Sequence, residues 1–98
     1  MKIKKIVEKK KTPPEDIKAA KDIINMVMDY SLTKGFTHKK KEEILACAID
    51  CGQHNVIIIA DQKKESLLQE FLLAWNKYFD DKNFPLVART PLTLQFLE

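Results

Sequence analysis

An uninterrupted apolar run, Val56-Ile57-Ile58-Ile59-Ala60, lies near the middle of the chain. β-Branched side chains dominate the run, and no polar residue alternates with the apolar ones. Such a run is typical of a strand that is covered on both faces at the centre of a parallel or mixed sheet. We therefore predict that the segment from His54 to Asp61 is a buried β-strand.

Three other segments repeat apolar residues at three- and four-residue spacing, which predicts amphipathic helices. The first covers about residues 14–32, follows a Thr-Pro-Pro-Glu start typical of a capping box, and can be closed by Gly35. The second covers about residues 38–51, with Thr37 as its N-cap. The third covers about residues 64–79 and carries a wide apolar stripe.

The chain after the third helix predicts a second strand and a short terminal helix. The apolar run at residues 84–89 favours a strand, which should lie parallel to the first because a helix separates the two. Thr90-Pro91 then repeats the pairing of a threonine cap with a proline in the first turn, so a short helix is expected from Leu92 to Leu97. Residues 2–7 alternate loosely and suit a short edge strand with lysines facing water.

These elements predict one α/β (or α+β) domain over residues 1–98, built on a sheet of two or three strands. It contains a parallel βαβ unit and carries a lysine-rich N-terminal segment, residues 1–11. A chain of 98 residues falls within the size of one domain, and 45% hydrophobic with 32% charged residues is a globular composition. Because no stretch has the length and apolarity to cross a membrane and the N-terminus lacks an apolar signal core, we expect a cytoplasmic protein without a membrane partner.

Charge is unevenly distributed, although the net charge is only +3. Residues 1–41 carry twelve lysines against five acidic residues, whereas residues 42–98 carry five basic residues against nine acidic ones. This asymmetry is typical of a face for an anionic partner, or of two halves that attract each other. Sixteen of the seventeen basic residues are lysine, which argues against base-specific reading of nucleic acid and leaves general attraction to phosphate.

Lysines in the first turn of the second predicted helix are the leading candidates for binding. Positive charge is unfavourable at a helix N-terminus, so an anionic partner would explain it; alternatively, the helix begins only near Glu42 and the lysines lie in a solvated loop. Tyr30 and Phe36 are close in sequence and can stack on bases or belong to the core. The candidate electrostatic residues are Lys34, Lys39, Lys40, Lys41, Lys9, Lys10 and Lys11.

The third predicted helix offers a candidate interface. Leu73 lies off the main apolar stripe, which indicates a second apolar face that could include Trp75 and could serve a partner or a second copy of the chain. The alternative is that Trp75 belongs to the core.

A competing site is expected at the carboxyl ends of the two predicted strands, where open α/β sheets bind ligands. Those ends are Asp61-Gln62 and Arg89-Thr90. An acid and the only arginine would meet there beside a helix N-terminus that favours an anion such as phosphate. The alternative is a plain surface ion pair between Asp61 and Arg89.

Cys47 and Cys51 are separated by four positions on the second predicted helix, which disfavours a disulfide and agrees with reduced thiols in the cytosol. Together with His54 they could supply three metal ligands, but no fourth ligand completes a tetrahedron, and cysteines in an apolar stripe are usually core residues. We therefore expect no metal and no cofactor.

No motif of a known reaction is present in the sequence: it has no glycine-rich phosphate loop and no GxSxG or HExxH. We therefore expect a non-enzymatic interaction or regulatory module, such as an adaptor, that binds an acidic protein or nucleic acid through a lysine-rich face. The alternative is a small-ligand or phosphate-binding sensor or enzyme that uses Asp61, Arg89 and Thr90.

Overall fold

A computed structural model describes residues 14–52 and 55–97. The expected edge strand at residues 2–7, the N-terminal lysines and His54 lie outside the described residues. Within them, no helix is both long enough and apolar enough to span a membrane.

The described chain forms three α-helices and one three-stranded mixed sheet, which confirms the predicted fold class. The sheet order is β1-β2-β3, with β1 antiparallel to β2 and β3 parallel to β2. The elements are, in chain order, α1 (Pro14–Leu32), α2 (His38–Leu45), β1 (Ala48–Gly52), β2 (Asn55–Asp61), α3 (Glu65–Asp81) and β3 (Leu92–Leu97), with 3-10 turns at Gln62–Lys64 and Leu86–Ala88.

The predicted central strand is confirmed as β2, which pairs with a strand on each side. Val56, Ile58 and Ala60 are buried on the face that the helices cover. Ile57 and Ile59 point to the other face and are only half-buried. The expectation of cover on both faces is therefore too strong for the described part of the chain, where the helices pack against one face.

The core lies between that face of the sheet and the two long helices. α1 packs against β1 and α3, and α3 packs against β3. The side chains of Ile24 and Met28 on α1 and of Phe71 and Trp75 on α3 are almost fully buried. Helical periodicity in the sequence thus identified the buried stripes of both helices correctly.

The second predicted helix is wrong in its C-terminal part. The helix ends at Leu45, and residues 48–51, predicted as helix, belong to β1. Ile49 and Cys51 face the core while Asp50 between them faces outward, so the segment satisfies a strand period as well as a helical one. Pairing with the β-branched strand β2 favours strand over helix for this segment, because strand formation depends on cross-strand neighbours more than on local preference.

The C-terminal assignments are also wrong. Residues 84–89, predicted as a strand, form a loop around the 3-10 turn Leu86–Ala88 that is exposed from Pro85 to Ala88. The predicted terminal helix is the strand β3. Leu92, Leu94 and Phe96 alternate with more exposed residues, a period-two signal that outweighs the Thr-Pro helix start. The parallel βαβ unit is correct in type, but its second strand begins at Leu92, eight residues later than predicted.

Both long helices end in the same way. Gly35 has a φ of 106° and Asn83 a φ of 58°, and each lies one residue before a phenylalanine. The amide of Phe36 donates to the Ser31 carbonyl and that of Phe84 to the Phe79 carbonyl, each at 3.0 Å. This is the six-to-one hydrogen bond of a Schellman motif, which needs a left-handed residue just before the donor. The expectation that Gly35 closes the first helix is confirmed.

Candidate functional site: a lysine patch at the ends of two helices

Side-chain contacts of Tyr30 join the C-terminal end of α1 to that of α3. The hydroxyl of Tyr30 donates a hydrogen bond of 2.7 Å to the carboxylate of Asp81. The Tyr30 ring also packs edge-on against Tyr78, with the ring centroids 5.5 Å apart. Tyr30 is thereby fixed at the surface with part of its ring exposed.

Three lysines surround this contact. The Nζ atom of Lys34 lies 5.4 Å from the centroid of the Tyr30 ring, and that of Lys82 lies 5.2 Å from it. Lys77 forms an ion pair of 3.4 Å with Asp81. We name the group of Tyr30, Lys34, Lys77, Asp81 and Lys82 the Tyr30 patch.

The Tyr30 patch has an excess of positive charge, because it contains three lysines and one carboxylate, that of Asp81. The hydrogen bond from Tyr30 lowers the pKa of Asp81, and the charges of Lys77 and Lys34 lower it further, so the carboxylate stays ionised. The same hydrogen bond raises the pKa of Tyr30 above its ordinary value. Lys82 is the C-cap of α3, and cations are favourable beside the free carbonyls of a helix C-terminus. The cations thus lie where the backbone tolerates them.

A cavity of about 230 Å³ opens beside the Tyr30 patch. Its walls include Lys34, Phe36, Glu70 and Lys77. Sites for small-molecule ligands usually measure about 300–1,000 Å³. The cavity is below that range and has the size to take a side chain of a larger partner.

The lysines at positions 39–41 lie in the first turn of α2, and not in a loop before the helix. α2 begins at His38, and the Thr37 hydroxyl accepts a hydrogen bond of 3.2 Å from the Lys40 amide, so Thr37 is the N-cap as predicted. Residues 39–41 therefore occupy the first turn, and the alternative start near Glu42 is wrong.

Two of these lysines already have acidic partners. The Nζ of Lys40 lies 2.9 Å from a Glu70 carboxylate oxygen on α3, and Lys41 pairs with Asp29 of α1 at 3.3 Å. Both pairs are partly solvent-exposed, and such pairs are worth about 0–1 kcal/mol. The attraction between the two halves of the chain thus accounts for part of the charge pattern, while Lys39 remains exposed. Lys9, Lys10 and Lys11 lie outside the described residues.

The two residues of the predicted interface have different environments. Leu73 is 72% exposed, whereas Trp75 is 1% exposed and belongs to the core. The Nε1 atom of Trp75 donates a hydrogen bond of 2.7 Å to the Thr90 carbonyl, which fixes the chain just before β3. Trp75 therefore cannot contact a partner, and only Leu73 remains available.

The four residues of the predicted strand-end site do not come together. Asp61 and Gln62 lie at the carboxyl end of β2, where Asp61 pairs with Leu97 in the parallel register. Arg89 and Thr90 precede β3, at the amino end of the parallel pair. At about 3.3 Å per residue, the five steps from Val56 to Asp61 separate the two ends by about 16 Å. The expected meeting of Asp61 with Arg89 rested on the misplaced second strand.

Asp61 and Arg89 each have a local role instead. The Asp61 carboxylate accepts a hydrogen bond of 2.9 Å from the Lys63 amide and caps the 3-10 turn that leads into α3. Arg89 forms an ion pair with Asp80 and donates from Nε and Nη2 to the Phe84 carbonyl at 2.9 and 2.8 Å. Asp61 and Arg89 therefore form neither a joint site nor an ion pair with each other.

The cysteines are not on one helix, contrary to prediction: Cys47 follows α2 and Cys51 lies on β1. Both are free. Burial raises the pKa of both thiols, and nearby Asp16 and Asp50 raise that of Cys51 further. Within residues 14–52 and 55–97, no group of three or more histidine, cysteine or acidic residues could hold a metal ion.

Sequence reasoning missed three members of the Tyr30 patch, namely Lys77, Asp81 and Lys82. Asp81 is the last residue of α3, Lys82 is its C-cap, and Lys77 lies one turn before Asp81. The usable signal was the spacing from Lys77 to Asp81, which puts them on one helix face. These residues approach Lys34 because α1 packs against α3, and no pattern in the neighbouring sequence indicates that packing.

Comparisons with family models, with curated proteins and with solved structures found no match to this chain.

Proposed function

We propose that this protein is a small cytosolic, non-enzymatic interaction module that binds an acidic macromolecular partner, a protein or a nucleic acid, through the Tyr30 patch and the neighbouring lysines of α2. The observation that carries the proposal is the convergence of three lysines on the contact between Tyr30 and Asp81: Lys34 and Lys82 lie over the Tyr30 ring, and Lys77 pairs with Asp81. The excess charge gives an acidic partner a place to bind. The free cysteines support the cytosolic part of the proposal.

The surroundings of the Tyr30 patch support the same proposal. The cavity beside it is lined by Phe36 and Lys77, and the exposed Leu73 lies one helical turn before Lys77. Lysine groups, a partly exposed tyrosine ring and an exposed leucine together suit a macromolecule that offers charge and apolar area at once. The alternative of a ligand sensor or enzyme at the strand ends has no such support, because Asp61 and Arg89 are far apart.

A binding experiment with two fluorescent polyanions, poly-aspartate and poly(dT), tests the proposal. We expect the variant that combines Lys34→Gln, Lys77→Gln and Lys82→Gln to bind both about tenfold more weakly, since three exposed charge contacts of a few tenths of a kcal/mol each sum to about that factor. The matched control removes the same charge from exposed lysines elsewhere, at Lys18, Lys21 and Lys63. Equal losses in the two variants would contradict the proposal.

Two further arms sharpen the test. Asp81→Asn removes the one carboxylate of the Tyr30 patch and should raise the affinity for poly-aspartate. The combined replacement of Lys39, Lys40 and Lys41 by alanine measures the share of α2, where only Lys39 lacks an acidic neighbour within ion-pair distance among the described residues. We expect a smaller loss from this variant than from the patch variant.

A further inference from the structure

The loop before β3 exposes four consecutive apolar residues, Pro85 to Ala88. Leu86 is 81% exposed and Val87 is 97% exposed. Exposed apolar residues are normal when they are scattered, but a contiguous group on a fixed element usually marks a contact surface.

This loop is fixed by its own side-chain contacts. Arg89 closes the base of the loop by donating two hydrogen bonds to the Phe84 carbonyl and pairing with Asp80. At the other end, the Phe84 ring packs on Phe79, with 5.1 Å between the ring centroids. The 3-10 turn Leu86–Ala88 is thus held as a defined ridge, and a surface organised before binding loses less entropy when a partner docks.

The ridge adjoins the Tyr30 patch. Phe84 also packs against Tyr78, at 6.3 Å between ring centroids, and Lys82 lies over the Tyr78 ring at 5.9 Å. Leu86 lies four positions after Lys82, which limits their Cα atoms to about 14 Å apart. An occupant of a few residues in extended form could therefore reach both surfaces.

We propose that the loop Pro85–Ala88, held by Arg89, docks the aliphatic side chains of an acidic protein segment whose carboxylates contact the Tyr30 patch. The inference rests on the proposed function and narrows its partner class to protein. Charge complementarity supplies the acidic character. The ridge supplies the apolar part, because Leu86 and Val87 have no complementary group on a phosphate backbone and present no flat ring on which bases could stack.

Selection from a phage-displayed library of random peptides tests this inference. We expect the wild type to enrich peptides that carry both acidic and aliphatic residues. The double variant Leu86→Ser, Val87→Ser, both at exposed positions, should keep the acidic enrichment and lose the aliphatic one. The matched control, Leu97→Ser, changes an exposed leucine at the far end of β3 and should select the same peptides as the wild type.

Synthetic copies of the selected peptides give the size of the effect. The double variant should bind them about tenfold more weakly, as expected when two aliphatic side chains lose their contacts. Its affinity for poly(dT) should be unchanged. Arg89→Gln, which frees the loop but keeps the side chains of Leu86 and Val87, should give an intermediate loss, with unchanged circular dichroism showing that the domain remains folded.

The outcomes separate this inference from the proposed function. Acidic peptides without aliphatic enrichment, or no enriched peptides together with retained poly(dT) binding, would overturn the docking role of the loop and leave the Tyr30 patch standing. If the wild type bound neither acidic peptides nor poly(dT), both the docking role of the loop and the proposed function would be overturned. If the wild type sedimented as a dimer and the double variant did not, the ridge would serve self-association. If the wild type sedimented with phosphatidylserine vesicles and the double variant did not, the ridge would bind lipid. Either result would contradict the inference.

Discussion

The hydroxyl of Tyr30 donates its hydrogen to the Asp81 carboxylate at 2.7 Å, and each residue moves the pKa of the other away from its ordinary value. The raised pKa of Tyr30 and the lowered pKa of Asp81 mean that the contact contributes stability fully between the ordinary pKa values of the two groups. The contribution is lost as the pH rises through the pKa of Tyr30 in the folded protein, and as the pH falls through that of Asp81. Removing the negative charge of Asp81 should therefore change the pKa of Tyr30.

We predict that Asp81→Asn lowers the pKa of Tyr30 towards its ordinary value. The measurement is an NMR pH titration with labelled tyrosine, which separates Tyr30 from the second tyrosine, Tyr78. Asp80→Asn serves as the control, because Asp80 is next in sequence but pairs with Arg89. Equal changes of the Tyr30 pKa in the two variants would mean that general electrostatics, and not the hydrogen bond, sets the titration.

The hydrogen bond from Trp75 to Thr90 should be important for stability. Trp75→Phe removes the donor and leaves a partly buried carbonyl unpaired, which costs about 1–3 kcal/mol, and the smaller ring adds a packing loss. Urea unfolding followed by circular dichroism measures the change. Leu73→Ala, at an exposed position on the same helix, should change the free energy of unfolding by less than about 0.5 kcal/mol.

The two glycines should respond differently to alanine. Gly35 has a φ of 106°, so Gly35→Ala forces a side chain into a strained backbone and should destabilise the fold by about 1 kcal/mol or more, although the new Cβ would have no neighbour within 4 Å. Gly52→Ala places a Cβ at ordinary contact distances, 3.8 and 3.9 Å, and should cost less. Similar melting temperatures for the two variants would contradict the assigned helix end.

Both cysteines should react slowly with an alkylating reagent at neutral pH. Burial raises the pKa of each thiol, and the thiolate is the reactive form. Acidic neighbours raise the pKa of Cys51, so Asp50→Asn should accelerate its labelling relative to Cys47 in the same sample. Mass spectrometry resolves the two sites, and an unchanged ratio would show that the carboxylate has no effect there.

Periodicity predicted much of the fold. The stripes of α1 and α3 and the run of β2 have single interpretations, and the parallel order of β2 and β3 follows from the helix between them. The prediction was wrong at residues 48–51, where a short segment fits both the helical and the strand period. It was also wrong at residues 84–89, where most of an apolar run is exposed and not buried. Tertiary pairing decides the first case, and a loop fixed by Arg89 explains the second.

The candidate site was less predictable than the fold. Lys34 was identified, and Thr37 correctly located the start of α2. The charge clusters on α2 proved to be partly internal, because Glu70 and Asp29 lie far enough away in sequence that nothing local links them to Lys40 and Lys41. Asp81 and Lys82 reach Tyr30 only through the packing of α1 on α3, a contact that no pattern along the chain encodes.

The central claim is that the position of the lysines, and not the net charge of the chain, binds an acidic partner. Its most direct test is the salt dependence of poly-aspartate binding, measured for the wild type, for the triple glutamine variant of Lys34, Lys77 and Lys82, and for the matched triple variant of Lys18, Lys21 and Lys63. We predict that wild type and control bind with the same affinity and the same steep loss with salt, while the patch variant binds more weakly and with a shallower salt dependence. Superimposed curves for the two triple variants would contradict the claim.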